Sequence, residues 1–259
     1  MLKSIFVKTV FIICIAFFLT VVSGSAYAMH PLITDDTATQ GKGKFELEIN
    51  GQYGSDNNDG AIQHTTPTAS TLTYGVIDTV DVSIGIPYEW IKIDDATSTG
   101  RHNGFGDFAI AAKWRFYETN GFNFALKPII TFPTGNKDQG LGTGKTTYSM
   151  FFITTRELKP WAFHLNLGYI GNENKLDQRV SLWHASIAAE VEVAKGLKVV
   201  ANTGIQRNAD KKSNTDPAFL LGGIVYSITE NIDIDAGYKY GLTKPEVDHA
   251  ALAGLTFRF

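Results

Sequence analysis

Between Val80 and Trp90 every second residue is large and apolar. Val80, Val82, Ile84, Ile86, Tyr88 and Trp90 share one parity, and Asp81, Ser83, Gly85 and Glu89 take the other. Successive side chains of a strand point to opposite faces, so this run presents one apolar face and one charged face. The pattern recurs. Phe108, Ile110, Ala112, Trp114 and Phe116 stand opposite Asp107, Lys113 and Arg115, and Ile232, Ile234, Ala236, Tyr238 and Tyr240 stand opposite Asp233, Asp235 and Lys239. Near the start, Glu46, Glu48, Asn50 and Gln52 alternate with Phe45, Leu47, Ile49 and Tyr53. A lysine or arginine turned toward mid-bilayer lipid costs about 2–4 kcal/mol. Several such misplacements would exceed the whole stability of a fold, and the charges avoid the apolar parity almost completely. A sheet with lipid on one side and charge on the other fits this chain.

Twelve segments alternate in this way, over roughly 44–54, 68–77, 80–91, 105–117, 122–133, 146–156, 161–171, 180–193, 197–207, 217–228, 232–242 and 249–259. Most have the length a tilted membrane-crossing strand needs. Short links (78–79, 118–121, 157–160, 194–196, 229–231) alternate with long polar ones such as 55–67, 94–104, 135–145 and 208–216. That predicts a closed antiparallel up-and-down transmembrane β-barrel of about twelve strands, all-β, with short periplasmic turns and longer outer loops. An even strand number puts both mature termini in the periplasm. The last stretch alternates to its end: Ala251, Ala253, Leu255, Phe257 and Phe259 face lipid, Thr256 and Arg258 the interior. An apolar edge strand invites aggregation, and closure onto the first strand removes that edge. Aromatics are expected in two belts, with Phe45, Phe116, Phe122, Trp161, Phe257 and Phe259 at one interface and Tyr53, Tyr88, Trp90, Tyr169, Trp183 and Tyr240 at the other.

Lys3 and Lys8, the apolar run 10–22 and Ala26-Tyr27-Ala28 read as a secretory signal peptide over residues 1–28, cleaved after Ala28. Residues 29–43 are then a short periplasmic segment, too short for a plug domain, and 44–259 the barrel. The only cysteine, Cys14, leaves with the leader, so no thiol chemistry or disulfide is expected. Loss of Lys3 and Lys8 takes the net charge from −3 to −5, which gives no reason to expect nucleic acid.

Several apparent motifs fail. Residues 140–146 (GLGTGKT) look like a phosphate loop, but position 139 is Gln and no helix follows, so a flexible outer loop is expected. Ser55 to Gly60 echoes a calcium loop without its closing Glu. His184 and Ser186 share a face, yet nothing in the spacing supplies the third group of a Ser–His hydrolase. His164 reads as an interior hydrogen-bonding residue. No catalytic, metal or cofactor site is expected.

His30-Pro-Leu-Ile-Thr-Asp35-Asp36-Thr37, Gly41-Lys-Gly43, Phe45-Glu-Leu-Glu48, Leu72-Thr-Tyr-Gly-Val-Ile-Asp78, Gly104-Phe-Gly-Asp107 with Lys113-Trp-Arg-Phe116, Pro133-Thr-Gly135, Leu165-Asn-Leu-Gly-Tyr169, Trp183 and Leu255-Thr-Phe-Arg-Phe259 occur in this order. Together they resemble the outer-membrane transporters named for the MetA pathway of phenol degradation, over nearly all the mature chain. The resemblance implies passage of small aromatic or hydrophobic solutes across the outer membrane of a Gram-negative cell, and no catalytic residues. We expect a monomeric or trimeric porin-like passive channel. Candidate lumen-lining residues are Asp81, Glu89, Asp107, Lys113, Arg115, Lys127, Asp233, Asp235, Lys239 and Arg258. The alternative is that these charges form an internal ion-pair network in a plugged structural or surface-presenting barrel. Expected partners are outer-membrane lipid and lipopolysaccharide, the small-molecule solute, and the barrel-assembly machinery through the strand ending in Phe259.

Overall fold

The computed structural model describes residues 30–58, 61–94 and 99–259; the expected leader and Cys14 lie outside them. Among the described residues there are thirteen strands: β1 (Phe45–Asn58), β2 (Ala61–Ile77), β3 (Val80–Asp94), β4 (Thr99–Phe105), β5 (Ala109–Thr119), β6 (Phe122–Thr131), β7 (Thr147–Leu158), β8 (Trp161–Gly171), β9 (Ser181–Ala194), β10 (Leu197–Gln206), β11 (Ala218–Thr229), β12 (Ile232–Gly241) and β13 (His249–Arg258). Each pairs antiparallel with its neighbour, and β13 returns to β1. Phe45 N–H donates to Phe259 C=O at 2.7 Å and Phe259 N–H to Phe45 C=O at 2.9 Å, so the sheet is closed at its end.

The wall has twelve staves, because β4 and β5 share one place. β5 pairs with the first half of β3, Val80 to Gly85, and β4 with the second half, Tyr88 to Asp94. β4 is the extra strand. Short turns cluster at the end that holds Phe45 and Phe259, called here the terminal end. In one of them Asn120 and Gly121 both have positive φ, 46° and 74°, the conformation that matches strand twist in a tight hairpin.

The expected parity holds on β1, β3, β5 and β12. Ile84 and Trp90 are 46% and 47% exposed on the outer face, whereas Asp81 behind them is 2% exposed. A bulge near Arg115 puts Phe116 and Tyr117 side by side on the exterior. A soluble monomer rarely leaves an apolar patch of more than a few hundred Å² uncovered. Here such residues girdle every stave, which suits lipid and not water.

Two expected loops are strand instead. The β1–β2 ladder continues through Ser55↔His64 to Asn58↔Ala61, beyond the apolar band. Residues 99–105 extend β3 in the same way. Polar strands above a membrane carry no apolar period, so the pattern that marks the lower staves is silent there. Pro67 fits because the β1–β2 ladder has a gap beside it, where its missing N–H is not needed.

The loop spanning 132–146 is not a free outer loop. Leu141 packs with Ile91 and Ile93 inside the barrel. The N–H groups of Gly135 and Thr143 both donate to Asp107 at 2.8 Å, fixing the loop to the break between β4 and β5.

Candidate functional site

The N-terminal segment corrects the sequence reading most sharply. Residues 30–40 do not lie outside the barrel; they run along its inner wall through almost a full turn. From the terminal end, Thr39 Oγ1 donates to Asp78 C=O, and Gln40 N–H to the Asp81 carboxylate, both by β3. Thr37 N–H then donates to Thr155 Oγ1 on β7. Asp35 is clasped by Asn166 of β8, which accepts from Asp35 N–H at 2.8 Å and donates to Asp35 C=O at 2.7 Å. Asn202 of β10 accepts from the N–H groups of Ile33 and Thr34 and donates to Thr34 Oγ1 at 2.6 Å. An asparagine amide used this way imitates a strand neighbour and satisfies a backbone that has no sheet of its own. Eleven residues are too few for a plug domain, but a single extended strip needs no core when the barrel wall supplies its partners.

Beyond Asn202 the strip meets an apolar wall and then glycines. Leu32 is buried against Val200, Leu221 and Leu252. A Cβ on Gly237 would stand 2.9 Å from Pro31, and one on Gly254 would stand 2.6 Å from the His30 ring. Glycine there makes room for the chain. His30 Nδ1 contacts Asp235 at 2.5 Å, and its N–H reaches Glu48 of β1 at 3.4 Å.

The interior charges are partnered, many of them by this strip. Asp35 binds two lysines, Lys127 at 2.5 Å and Lys113 at 3.2 Å, and Lys113 also lies 3.6 Å from Asp36. Asp81 accepts from Gln40, and Asp235 meets His30. Arg258 bridges Glu46 at 2.9 Å and Asp233 at 2.7 Å, beneath the strip. Arg115 pairs with Glu118 and donates to Asp78 C=O at the terminal rim. Lys239 pairs with Glu246 of the last loop at 2.8 Å, with both buried, and Asp107 holds the 132–146 loop. Glu89 is buried on the inner face of β3. Of the ten candidate residues, then, Lys113, Lys127, Asp81 and Asp235 hold the strip, Lys239 and Asp107 hold loops, and Arg258 bridges Asp233 to Glu46, which accepts from Gln40 of the strip at 2.8 Å. The sequence reading missed Asp35, Asn166 and Asn202 as anchors. The signal available for the two asparagines was their inward parity, which Asn166 shares with His164 and Asn202 with Lys198 and Gln206.

The strip separates two cavities. On the terminal side lies a polar chamber of about 490 Å³, lined among others by Glu46, Glu48, Lys113, Lys127, His164, Glu190 and Arg258. On the other side is a smaller cavity of about 80 Å³, lined by His30 to Ile33, Pro67, Ala69, Pro87, Lys239 and Leu252. Toward the loop end the inner wall of β6 to β9 carries an apolar patch, with Ile129, Phe151, Ile153, Ile170 and Leu182 forming one buried cluster with Ala209. His164 hydrogen-bonds Thr155 at 2.9 Å, as an interior polar residue. His184 Nε2 and Ser186 Oγ are 2.9 Å apart, but Ser186 also accepts from Thr34 Oγ1, and the residue opposite His184 is Gln206. An amide in that place does not stabilise an imidazolium as a carboxylate does.

Known structures repeat this architecture. A COG4313 outer membrane channel from Pseudomonas putida F1 superposes with a TM-score of 0.70 at 14% identity, covering 86% of this chain and 98% of that one. The NanC porin gives 0.55 at 11% identity over 82% and 98%, and the KdgM porin 0.53 at 8% over 82% and 99%. At these identities the likeness is one of fold. No curated protein matches the chain in sequence. The sequence model described as "Putative MetA-pathway of phenol degradation" matches residues 30–259, from the first residue of the inner strip through the closing strand to Phe259, and the chain belongs to that family.

Proposed function

We propose that the protein is a passive outer-membrane channel for small aromatic or hydrophobic solutes, and that its N-terminal strip narrows the lumen. Membership of the family and a fold shared with outer-membrane channels and porins support the membrane and the channel. The single observation that carries the solute class is the apolar patch on the inner wall toward the loop end. The loop half carries a continuous apolar patch of Ile129, Phe151, Ile170, Leu182, Phe219, Leu221 and Leu252, beside the buried Lys239–Glu246 pair and Glu89, while the chamber on the terminal side of the strip is lined mainly by charged and polar groups. A water-filled pore for sugars or ions has no use for that apolar wall, which repels hydrated solutes and costs an aromatic ring nothing to touch.

The test is reconstitution. Proteoliposomes should take up an aromatic carboxylate faster than an uncharged sugar of similar size, and planar bilayers should show a small unitary conductance. Absence of both from folded barrel, with and without residues 30–40, sinks the channel reading in favour of a structural barrel.

A further inference from the structure

We infer that the outward face of β13, β1, β2, β3 and β4, near the loop end, is a binding site for the phosphorylated glucosamine head of lipopolysaccharide. The inference rests on the outer-membrane reading above. It starts from register. Tyr240 pairs with His249, His249 with Ser55, Ser55 with His64, His64 with Lys92, and Lys92 with Arg101. These are direct cross-strand partners, so they form one straight row, and they carry the lipid-facing parity of their strands. Neighbouring strands lie about 4.8 Å apart, so the row from His249 to Arg101 is roughly 19 Å wide.

The height of the row is set by its neighbours. Tyr53, Tyr238, Tyr240 and Trp90 are each about half exposed on the same face, directly beside or one step below the row. Aromatic belts sit at the head-group level. Beneath them Ile49, Ile84 and Ile86 continue the apolar band. The order from band to rim is therefore apolar, aromatic, cationic, which matches acyl chains, sugar and phosphate.

The two imidazoles are held in place. Tyr53 Oη lies 3.1 Å from His64 Nδ1 and the rings stack, while Tyr238 Oη lies 2.8 Å from His249 Nδ1, with Tyr240 packed against the same ring. With the phenol donating to Nδ1, a neutral ring keeps its proton on Nε2, and a protonated ring has one there as well. Nε2–H remains a donor in both states. Arg101 adds a guanidinium whose fork suits phosphate oxygens. Lys92, between them, has a partner within the protein, so the argument leans on His64, His249 and Arg101. Lys244, reaching Asn57 C=O at 3.5 Å, adds positive charge above β1. The adjoining carboxylate, Asp248, is turned to the Asn57 N–H. A glycerophospholipid offers one phosphate to a row this wide, whereas a disaccharide phosphorylated at both ends offers two.

The experiment uses the full-length barrel in detergent, with lipid retention read by native mass spectrometry. Probes are lipid A with two phosphates, dephosphorylated lipid A and phosphatidylglycerol. The triple variant H64N/H249N/R101Q should retain bisphosphorylated lipid A about tenfold more weakly or worse, because charge-assisted bonds to phosphate are lost. Its retention of dephosphorylated lipid A should not change, and K159Q/K195Q at the terminal end should behave as the native protein. Gel mobility before and after boiling verifies that each barrel is folded. Undiminished retention by the folded triple variant, or equal retention of phosphatidylglycerol, overturns the site. Cell fractionation is read separately: a barrel found outside the outer membrane refutes the localisation whatever lipid it binds in detergent.

Discussion

At the scale of single residues the lumen shows how a barrel hides polar groups. The side chains of Lys239 and its ion-pair partner Glu246 are 1% and 6% exposed. Removing one member of such a pair strands the other charge, at a cost of about 3–5 kcal/mol. Lys239→Met should therefore lower the urea midpoint clearly, whereas K239M/E246L together should restore most of it. An unchanged midpoint for the single variant means the pair is solvated. Asn166 and Asn202 make a second case, because each holds the strip through two or more hydrogen bonds. Their replacement by alanine should leave the barrel folded while exposing residues 30–37 to protease, a result that full resistance would contradict. Asn166 and Asn202 stood in plain view in the sequence. Their parity was legible, but what they face was not.

The element that matters most is the strip of residues 30–40. Its acidic pair sits against Lys113 and Lys127, so Asp35→Asn leaves two lysines in the lumen with one carboxylate between them. Ion selectivity should then shift toward anions, read as a change in reversal potential across a salt gradient, with the direction fixed by the sign of the uncovered charge. An unshifted potential places those lysines off the ion path. Deletion of residues 30–40 joins the two cavities and should raise unitary conductance several-fold, since pore resistance is concentrated at the narrowest section. Gly237→Val tests the docking more gently. Its side chain would collide with Pro31, and conductance should rise without loss of the barrel. The loop 132–146 is the strip's counterpart at the other end, anchored on Asp107 and packed through Leu141.

For the whole molecule, closure decides most of what is possible. Among the described residues every strand but β4 is paired on both sides, β3 taking β2 on one side and β4 and β5 on the other, so no long unpaired edge remains there to recruit other chains. The exterior is predominantly apolar, and the interior combines a charged chamber on the terminal side with an apolar patch toward the loop end that borders the buried Lys239–Glu246 pair. If the apolar patch selects solutes, Phe151→Glu should reduce uptake of aromatic carboxylates more than uptake of a neutral sugar, measured in the same proteoliposomes. Equal reductions would mean that the change only narrows the passage.

What the sequence determined by itself was everything set by period two. Alternation along 80–90, 108–116 and 232–240 fixed which faces meet lipid, and turn spacing fixed the twelve-stave topology with β13 against β1. Those properties are local, since each stave announces its own faces without reference to any other. The tertiary structure alone decided where residues 30–40 go, which loops turn inward and which charges meet. Asp35 with Lys127, Thr34 with Asn202 and His30 with Asp235 join positions 92, 168 and 205 residues apart. Such pairs exist only once the sheet has closed, because closure brings distant staves to a common interior, and no local period records which of their inward residues will face one another.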